Sequence, residues 1–120
     1  SFVKNFAAQT GAIIAVTGAI DLVADGERCY VIRNGRPEMS RITGTGCQLS
    51  ALMTAYLTAH PQRKLDAAAA AVCAMGLAGE IGFSRMQPGD GNAAYRSRII
   101  DAICCMTGEE LENGAKYELM

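Results

Sequence analysis

The glycine-rich turn and the helix that decide this fold lie in residues 42–57, which read Ile-Thr-Gly-Thr-Gly-Cys-Gln-Leu-Ser-Ala-Leu-Met-Thr-Ala-Tyr-Leu. Two glycines close together let the backbone turn tightly, and an apolar stripe begins directly after them. The stripe carries apolar side chains at helical spacing, at Leu49, Leu52, Met53, Tyr56 and Leu57. This periodicity predicts an amphipathic helix that starts near Gly46 and ends before Pro61.

The turn Gly44-Thr45-Gly46-Cys47 has the features of an anion site. The first amide groups of a helix lack an acceptor within the helix, and the helix dipole adds partial positive charge there. A glycine-rich turn at a helix start therefore suits a phosphate group. The same field favours a thiolate at Cys47, which we expect to act as a base or nucleophile. The turn thus predicts phosphoryl or acyl transfer, with its four residues as the anion hole and Cys47 as the catalytic group.

Upstream of the turn, the pattern predicts one helix and then strands. Residues 1–9 resemble the end of a helix with Phe2, Phe6 and Ala7 on one face, stopped by Gly11. Residues 12–16 form an apolar run that is typical of a strand buried on both faces of a parallel sheet. Two hairpin signals, Asp25-Gly26 and Asn34-Gly35, divide the next segment into strands at 20–24, 28–33 and about 38–42. We therefore expect a buried strand followed by an antiparallel meander.

Downstream, two more helices follow the amphipathic one. Residues 66–83 are apolar on nearly every face, and Gly76, Gly79 and Gly82 are spaced for close packing. A further helix starts near Asn92 and ends at Gly108; its stripe is Tyr95, Ile99, Ile103 and Met106. The polar tail, residues 109–120, shows no period, and we expect it to be loose.

A single buried strand of the parallel type cannot form a sheet by itself. We therefore interpret residues 1–120 as the C-terminal portion of one larger α/β domain, with the order buried strand, antiparallel meander and three helices. The alternative is a small complete α+β domain built on the meander.

Composition excludes several classes of function. The 120 residues carry 11 basic and 12 acidic side chains, so the formal net charge of −1 argues against binding nucleic acid by bulk charge. The longest uncharged stretch, residues 42–59, contains too many hydroxyl and amide side chains to be a good membrane span. The N-terminal residues do not have the pattern of a signal peptide.

The cysteines and a few isolated polar residues have plain structural interpretations. Five cysteines without a CxxC pair indicate free thiols in a reducing cytosol, so we expect a cytoplasmic protein without a zinc site. Packing is the expected role of four of them: Cys29, Cys73, Cys104 and Cys105. His60 is expected at the surface of a helix end, and Asp21 at a solvated strand edge rather than on a metal ion.

Several motifs resemble the C-terminal half of the hydroxyethylthiazole kinase family, which belongs to the ribokinase-like clan. They are Val16-Thr17-Gly18, Asp21-Leu22-Val23, Asp25-Gly26, Asn34-Gly35 with Pro37 and Met39, and Ile42-Thr43-Gly44-Thr45-Gly46-Cys47 with Leu49-Ser50-Ala51. The resemblance is specific from about residue 12 to residue 59 and continues loosely to about residue 108. The segment Pro88-Gly89-Asp90-Gly91 departs from the family's pattern, which puts the contacts of that loop in question.

The resemblance implies a ribokinase-like fold and a kinase. Family members phosphorylate the primary alcohol of 4-methyl-5-(2-hydroxyethyl)thiazole with ATP and Mg²⁺ in thiamine biosynthesis and salvage. By motif, Thr17 resembles the ATP-contacting threonine and Gly44 the substrate-contacting glycine, while Cys47 stands where most ribokinase-like enzymes have the catalytic aspartate. The resemblance also implies a homotrimer and places the metal-binding acids outside this segment. We therefore expect the 120 residues to be inactive alone.

Three alternatives remain open at this point. Hydroxymethylpyrimidine phosphate kinase also carries the GTGC motif, although it usually has histidine where this chain has Thr43. A thiol protein could use Cys47 for redox or acyl-transfer chemistry, but no resolving cysteine lies near it in the sequence. The third alternative is a non-catalytic fragment or interaction module.

Overall fold

The computed structural model describes residues 2–120, which form one antiparallel sheet and a set of helices around a central one. The elements are α1 (Phe2–Thr10), β1 (Ile14–Val16), β2 (Asp21–Ala24), β3 (Cys29–Ile32), a 3₁₀ helix (Pro37–Arg41), α2 (Thr45–Ala59), α3 (Lys64–Ser84), α4 (Asn92–Cys105), α5 (Gly108–Gly114) and β4 (Tyr117–Leu119). The four strands lie in the order β1-β2-β3-β4, and each neighbouring pair is antiparallel.

Helix α3 is the centre of the core, as its apolar sequence predicts. It packs against α2, α4, α5 and the strands β2 and β3. One apolar cluster joins α3 to the sheet through Val23 and Ile32, and a second joins it to α4 through Tyr95 and Ile99. Within residues 2–120, α3 is the one helix long and apolar enough to cross a membrane, and 72% of its most apolar stretch is buried inside the chain.

The glycines of α3 allow the close approach that their spacing predicts. A Cβ atom on Gly76 would lie 2.7 Å from the Asn34 Cβ and 2.8 Å from the Asn34 carbonyl carbon. On Gly79 it would meet the Met39 side chain, and on Gly82 it would lie 3.1 Å from the Ile99 amide nitrogen. The segment from Asn34 to Met39 therefore lies directly on the backbone of α3.

Replacing Gly76 with alanine is expected to lower the free energy of unfolding by about 1–3 kcal/mol. The new methyl group would clash with the backbone and Cβ atom of Asn34, which cannot move away by a change of side-chain rotamer. Urea unfolding monitored by circular dichroism measures the change. Gly108→Ala is the matched control, since a Cβ atom there meets nothing within 4 Å. Equal stability of the two variants would contradict the close packing at Gly76.

The β2–β3 hairpin at Asp25-Gly26 is confirmed, but the predicted third strand is wrong. The Asp25 carboxylate closes the turn by accepting hydrogen bonds from the amides of Glu27 and Arg28, both at 2.8 Å. Residues 37–41 form a 3₁₀ helix instead of a strand. The chain leaves the sheet at Asn34, whose buried side chain bonds to α3 and to the C-terminal segment rather than forming a hairpin turn.

The C-terminal tail is ordered, contrary to the expectation from its polar sequence. Residues 108–114 form α5, whose start is capped by the Thr107 hydroxyl accepting from the Glu110 amide. Residues 117–119 form β4, which takes the edge of β3 that the predicted third strand would have occupied. Tyr117 also packs edge-to-face against Tyr30, with ring centroids 5.7 Å apart. The order comes from these distant partners and not from the tail's own periodicity.

The N-terminal elements exist as predicted, but their burial differs. In α1 the buried side chains are Val3 and Ala7, whereas Phe2 and Phe6 are exposed. Strand β1 is antiparallel to β2 and has no neighbour on its other edge among residues 2–120. Its Val16 is 46% exposed, so within the described part of the chain β1 is not buried on both faces.

The four cysteines that were predicted to be packing residues divide into two groups. Cys29 and Cys73 are buried, as expected for packing residues. Cys104 and Cys105 are exposed, so the core position predicted for them is wrong. Helix α4 buries the face that carries Tyr95, Ile99 and Ala102, and the two cysteines lie outside that face. His60 is exposed at the end of α2, as predicted.

Candidate functional site

A cleft of about 560 Å³ opens between the sheet, the start of α2 and α3. One side consists of Thr17, Gly18 and Ala19, which follow β1, together with Asp21 at the start of β2. The facing wall is the segment from Asn34 to Ser40, and residues Thr45, Gly46 and Leu49 of α2 close one end. Val72, Met75 and Gly76 of α3 form the floor. Residues from most of the motifs that carried the family resemblance therefore line one cleft, whereas Asp25-Gly26 lies outside it.

The glycine-rich turn has the geometry that an anion site needs. Gly44 precedes the first turn of α2 with φ of +98°, a left-handed conformation that favours glycine. No side chain caps this helix start, and the first intrahelical bond runs from the Gln48 amide to the Gly44 carbonyl at 2.9 Å. The amides of residues 45–47 lie before that bond and are available to a ligand. A Cβ atom at Gly44 or Gly46 would meet nothing within 4 Å, so the approach to these amides is open.

The structure brings Thr17 into the same cleft as Thr45 and Gly46. Gly44 and Cys47 are not among the residues that line it. Cys47 lies in the first turn of α2 and is exposed. The roles of Thr17, Gly44, Thr45, Gly46 and Cys47 stay predictions, while the turn itself lies where the sequence placed it.

Asp21 shapes the loop that carries Thr17. Its Oδ1 atom accepts a hydrogen bond from the Gly18 amide at 2.9 Å, which closes the loop back onto the start of β2. Burial raises the pKa of this carboxyl above its usual 3.8, and the bond from Gly18 opposes part of that rise. Asp21 is therefore half-buried in the cleft and not the solvated strand-edge residue that the sequence suggested.

The cleft offers few side-chain ligands for a metal ion among residues 2–120. Among the residues that line it, Asp21 is the one carboxylate, and one of its oxygens is already engaged by Gly18. Within residues 2–120, no three His, Cys, Asp or Glu side chains come together in a way that could hold a metal ion. Mg²⁺ usually keeps several waters and is held by one or two carboxylates together with substrate phosphates.

Two contributors to the cleft wall escaped the sequence analysis. Asn34 is only 6% exposed, and it bonds through Nδ2 to the Glu80 carboxylate at 2.7 Å. Arg36 places its guanidinium carbon 4.2 Å from the centre of the Phe83 ring and pairs with Glu38 at 3.0 Å. A signal for Glu80 was present, because it is the one charged residue between Asp66 and Arg85. Nothing local indicated that Asn34 would be its partner.

The loop that departs from the family pattern lies outside the cleft. Asp90 accepts hydrogen bonds from the Gln87 amide at 2.9 Å and from the Arg98 guanidinium at 3.1 Å. These contacts tie the loop to α4, and none of residues 88–91 lines the cleft.

Comparison with known proteins identifies the family that this chain resembles. The sequence model of the hydroxyethylthiazole kinase family matches residues 1–109. A hydroxyethylthiazole kinase from Clostridium acetobutylicum is 49% identical over 118 residues, which are 98% of this chain and 43% of that protein. One from Zea mays is 38% identical over 116 residues, or 97% of this chain and 40% of the relative.

A solved structure gives the same result for the fold. The hydroxyethylthiazole kinase from Pyrococcus horikoshii superimposes with a TM-score of 0.86 at 28% sequence identity, covering 98% of this chain and 44% of that one. The α/β fold is therefore confirmed as a partial ribokinase-like fold, and the chain spans less than half the length of these relatives. It belongs to the hydroxyethylthiazole kinase family and corresponds to a C-terminal part of it.

Proposed function

We propose that this chain is the C-terminal part of a cytoplasmic enzyme that transfers a phosphoryl group from ATP to the primary alcohol of 4-methyl-5-(2-hydroxyethyl)thiazole. The observation that carries the proposal is the uncapped start of α2, which opens on the same cleft as Thr17. A glycine-rich helix start is suited to phosphate, and the family name supplies the substrate class.

In this proposal Thr17 and the residues of the glycine-rich turn bind different parts of the two substrates. Thr17 contacts ATP, and Gly44 contacts the thiazole substrate. The amides of residues 44–47 form the anion hole, where they stabilise negative charge that develops on the phosphoryl group in transit. Phosphoryl transfer depends chiefly on such positioning and charge neutralisation, with little covalent chemistry for the protein to perform.

Cys47 is the proposed proton acceptor for the substrate hydroxyl. A thiolate is too weak a base to deprotonate an alcohol before attack. In a loose transition state the proton leaves late, when the oxygen has already begun to bond to phosphorus, and a thiolate can then receive it.

The remaining parts of the site lie outside residues 2–120 in this proposal. Mg²⁺ would serve by neutralising charge on the ATP phosphates, and its ligands belong to segments that the longer relatives have. We further propose a homotrimer in which a neighbouring subunit completes each site. The unpaired edge of β1 and the exposed Phe2 and Phe6 leave room for such additional contacts.

The test is turnover by a full-length protein that contains this chain. With ATP and Mg²⁺, the thiazole alcohol is expected to yield ADP and the phosphate ester at about 1–10³ s⁻¹, the usual range for enzymes. Hydroxymethylpyrimidine and its phosphate serve as competing substrates in the same assay. A higher kcat/KM for either pyrimidine would replace the thiazole reading with the pyrimidine kinase alternative.

A further inference from the structure

The carboxylate of Glu80 joins three parts of the chain that lie far apart in sequence. Its Oε2 atom accepts from the Asn34 amide group at 2.7 Å and from the Gly35 backbone amide at 3.0 Å. Its Oε1 atom accepts from the Lys116 ammonium at 2.5 Å. Glu80 therefore links α3 to the cleft wall on one side and to the segment that leads into β4 on the other.

Asn34 completes this network with its remaining polar groups. Its Nδ2 also donates to the Gly114 carbonyl at 2.9 Å, and its Oδ1 accepts from the Lys116 amide at 2.7 Å. Both hydrogens and the oxygen of a side chain that is only 6% exposed are thus used. A buried polar group that loses its partner is costly, so this arrangement admits few alternatives.

The position of the cleft wall depends on these polar contacts. The segment from Asn34 to Met39 lies on Gly76 and Gly79 of α3, and further along it Arg36 stacks on Phe83 of the same helix. Gly35 has φ of +110°, so the backbone turns sharply at the residue whose amide donates to Glu80. The hydrogen bonds at Asn34 and Gly35 therefore set the direction in which the chain leaves the sheet and crosses α3.

The negative charge of Glu80 suits its three donors. Burial raises the pKa of this carboxyl, but the bonds from Lys116, Asn34 and Gly35 outweigh burial, and the pKa lies below its usual 4.5. A glutamine would keep the shape while presenting an NH₂ group to at least one donor. The geometry therefore calls for an ionised carboxylate rather than any hydrogen-bonding side chain of that length.

We propose that Glu80 is a positioning residue that acts through Asn34 and Gly35 to hold the cleft wall that faces Thr17. The position of this wall then affects how ATP binds in the cleft. This inference rests on the proposed function, because that function assigns Thr17 to ATP. Glu80 does not line the cleft and touches no ligand in this account. Its effect is on the binding of ATP and not on the transfer step.

The test compares Glu80→Gln with Glu118→Gln in the full-length protein that contains this chain. Glu118 pairs with Arg33 at 2.9 Å on the exposed face of β4, so its loss removes an ion pair of the same tail without touching the wall. We expect Glu80→Gln to raise the KM for ATP about tenfold, as one lost charge-assisted network would do, with kcat and the thiazole KM within about threefold of wild type. Glu118→Gln should leave all three parameters near wild type.

A second variant separates positioning from general destabilisation. Asn34→Ala is expected to raise the ATP KM in the same way, and the double variant Glu80→Gln with Asn34→Ala should be little worse than either single one, because both act through one contact. An ATP KM at the control value in Glu80→Gln, or effects that simply add, would overturn the proposal. If Glu80→Gln does not fold, the proposal is tested by comparing the ATP KM of Asn34→Ala with that of Glu118→Gln.

Hydrogen exchange keeps this test independent of turnover. The backbone amides of residues 35, 36 and 38–41 should exchange faster in Glu80→Gln, or in Asn34→Ala, than in Glu118→Gln, whatever reaction the protein performs. Equal exchange in all variants would show that Glu80 does not order the wall. A wild-type protein that does not phosphorylate the thiazole alcohol would instead refute the proposed function, and the exchange comparison would still decide whether Glu80 holds the wall.

Discussion

Replacing Cys47 with serine in the full-length protein is expected to lower kcat by about 10²–10⁴-fold, the usual contribution of a general base. Serine is nearly the same size and keeps the backbone amides at the start of α2. The anion hole should therefore survive, and the KM for ATP should change little. The loss is specific to the side chain, because a serine hydroxyl ionises only far above neutral pH, whereas a thiol is a much stronger acid.

The aspartate variant at the same position gives the opposite expectation. A carboxylate is stabilised at a helix start by the dipole and can accept a proton, so Cys47→Asp should keep much of the activity. Cys104→Ser is the matched control, since Cys104 is also exposed but lies on α4, away from the cleft. If the serine variant is as active as the wild-type protein, the Cys47 thiol has only a packing role. Serine and aspartate variants that are equally inactive would point to sulfur chemistry instead of a base.

The 120-residue chain alone is expected to show no turnover of thiazole alcohol with ATP and Mg²⁺. Asp21 is the single carboxylate that lines the cleft formed by residues 2–120. No metal-binding cluster forms within that range. Strand β1 also lacks a neighbour on its outer edge there. The same coupled assay for ADP, run on the isolated chain and on the full-length protein at equal concentration, measures the difference.

Circular dichroism of the isolated chain is the control for this comparison. A helical spectrum with no activity would show that the missing parts, and not unfolding, account for the loss. Turnover by the folded 120 residues in the usual enzyme range of about 1–10³ s⁻¹ would contradict the assignment of the metal-binding and substrate contacts to other segments.

Local pattern was sufficient for helices α1 to α4 and for the glycine-rich turn before α2. The residues of α2 that are half-buried include the whole predicted stripe from Leu49 to Leu57, because a period of 3.6 residues places them on one face. The glycines of α3 pack closely, as their spacing indicated. The positive φ of Gly44 and the uncapped helix start follow from residues that are adjacent in sequence.

The sheet and the cleft wall needed information from far along the chain. Asn34-Gly35 has the composition of a hairpin turn, yet the Asn34 side chain is bound by Glu80, 46 residues away, and by the Lys116 amide, 82 residues away. Once Asn34 is drawn onto α3, the following residues cannot continue along the sheet. The edge of β3 is then free for Tyr117–Leu119, a segment with no strand signal of its own.

The family, the helical core and the glycine-rich turn could therefore be predicted from the amino-acid sequence, since each depends on motifs or periodicity within a short stretch. The three-dimensional fold was needed to show which segment pairs with the edge of β3 and which side chains form the wall of the cleft. It was also needed to show that Asp21 and Glu80 are partly buried. Strand pairing and buried hydrogen bonds depend on partners that the fold brings together. Their energies do not depend on neighbours in the sequence, so no local pattern records them.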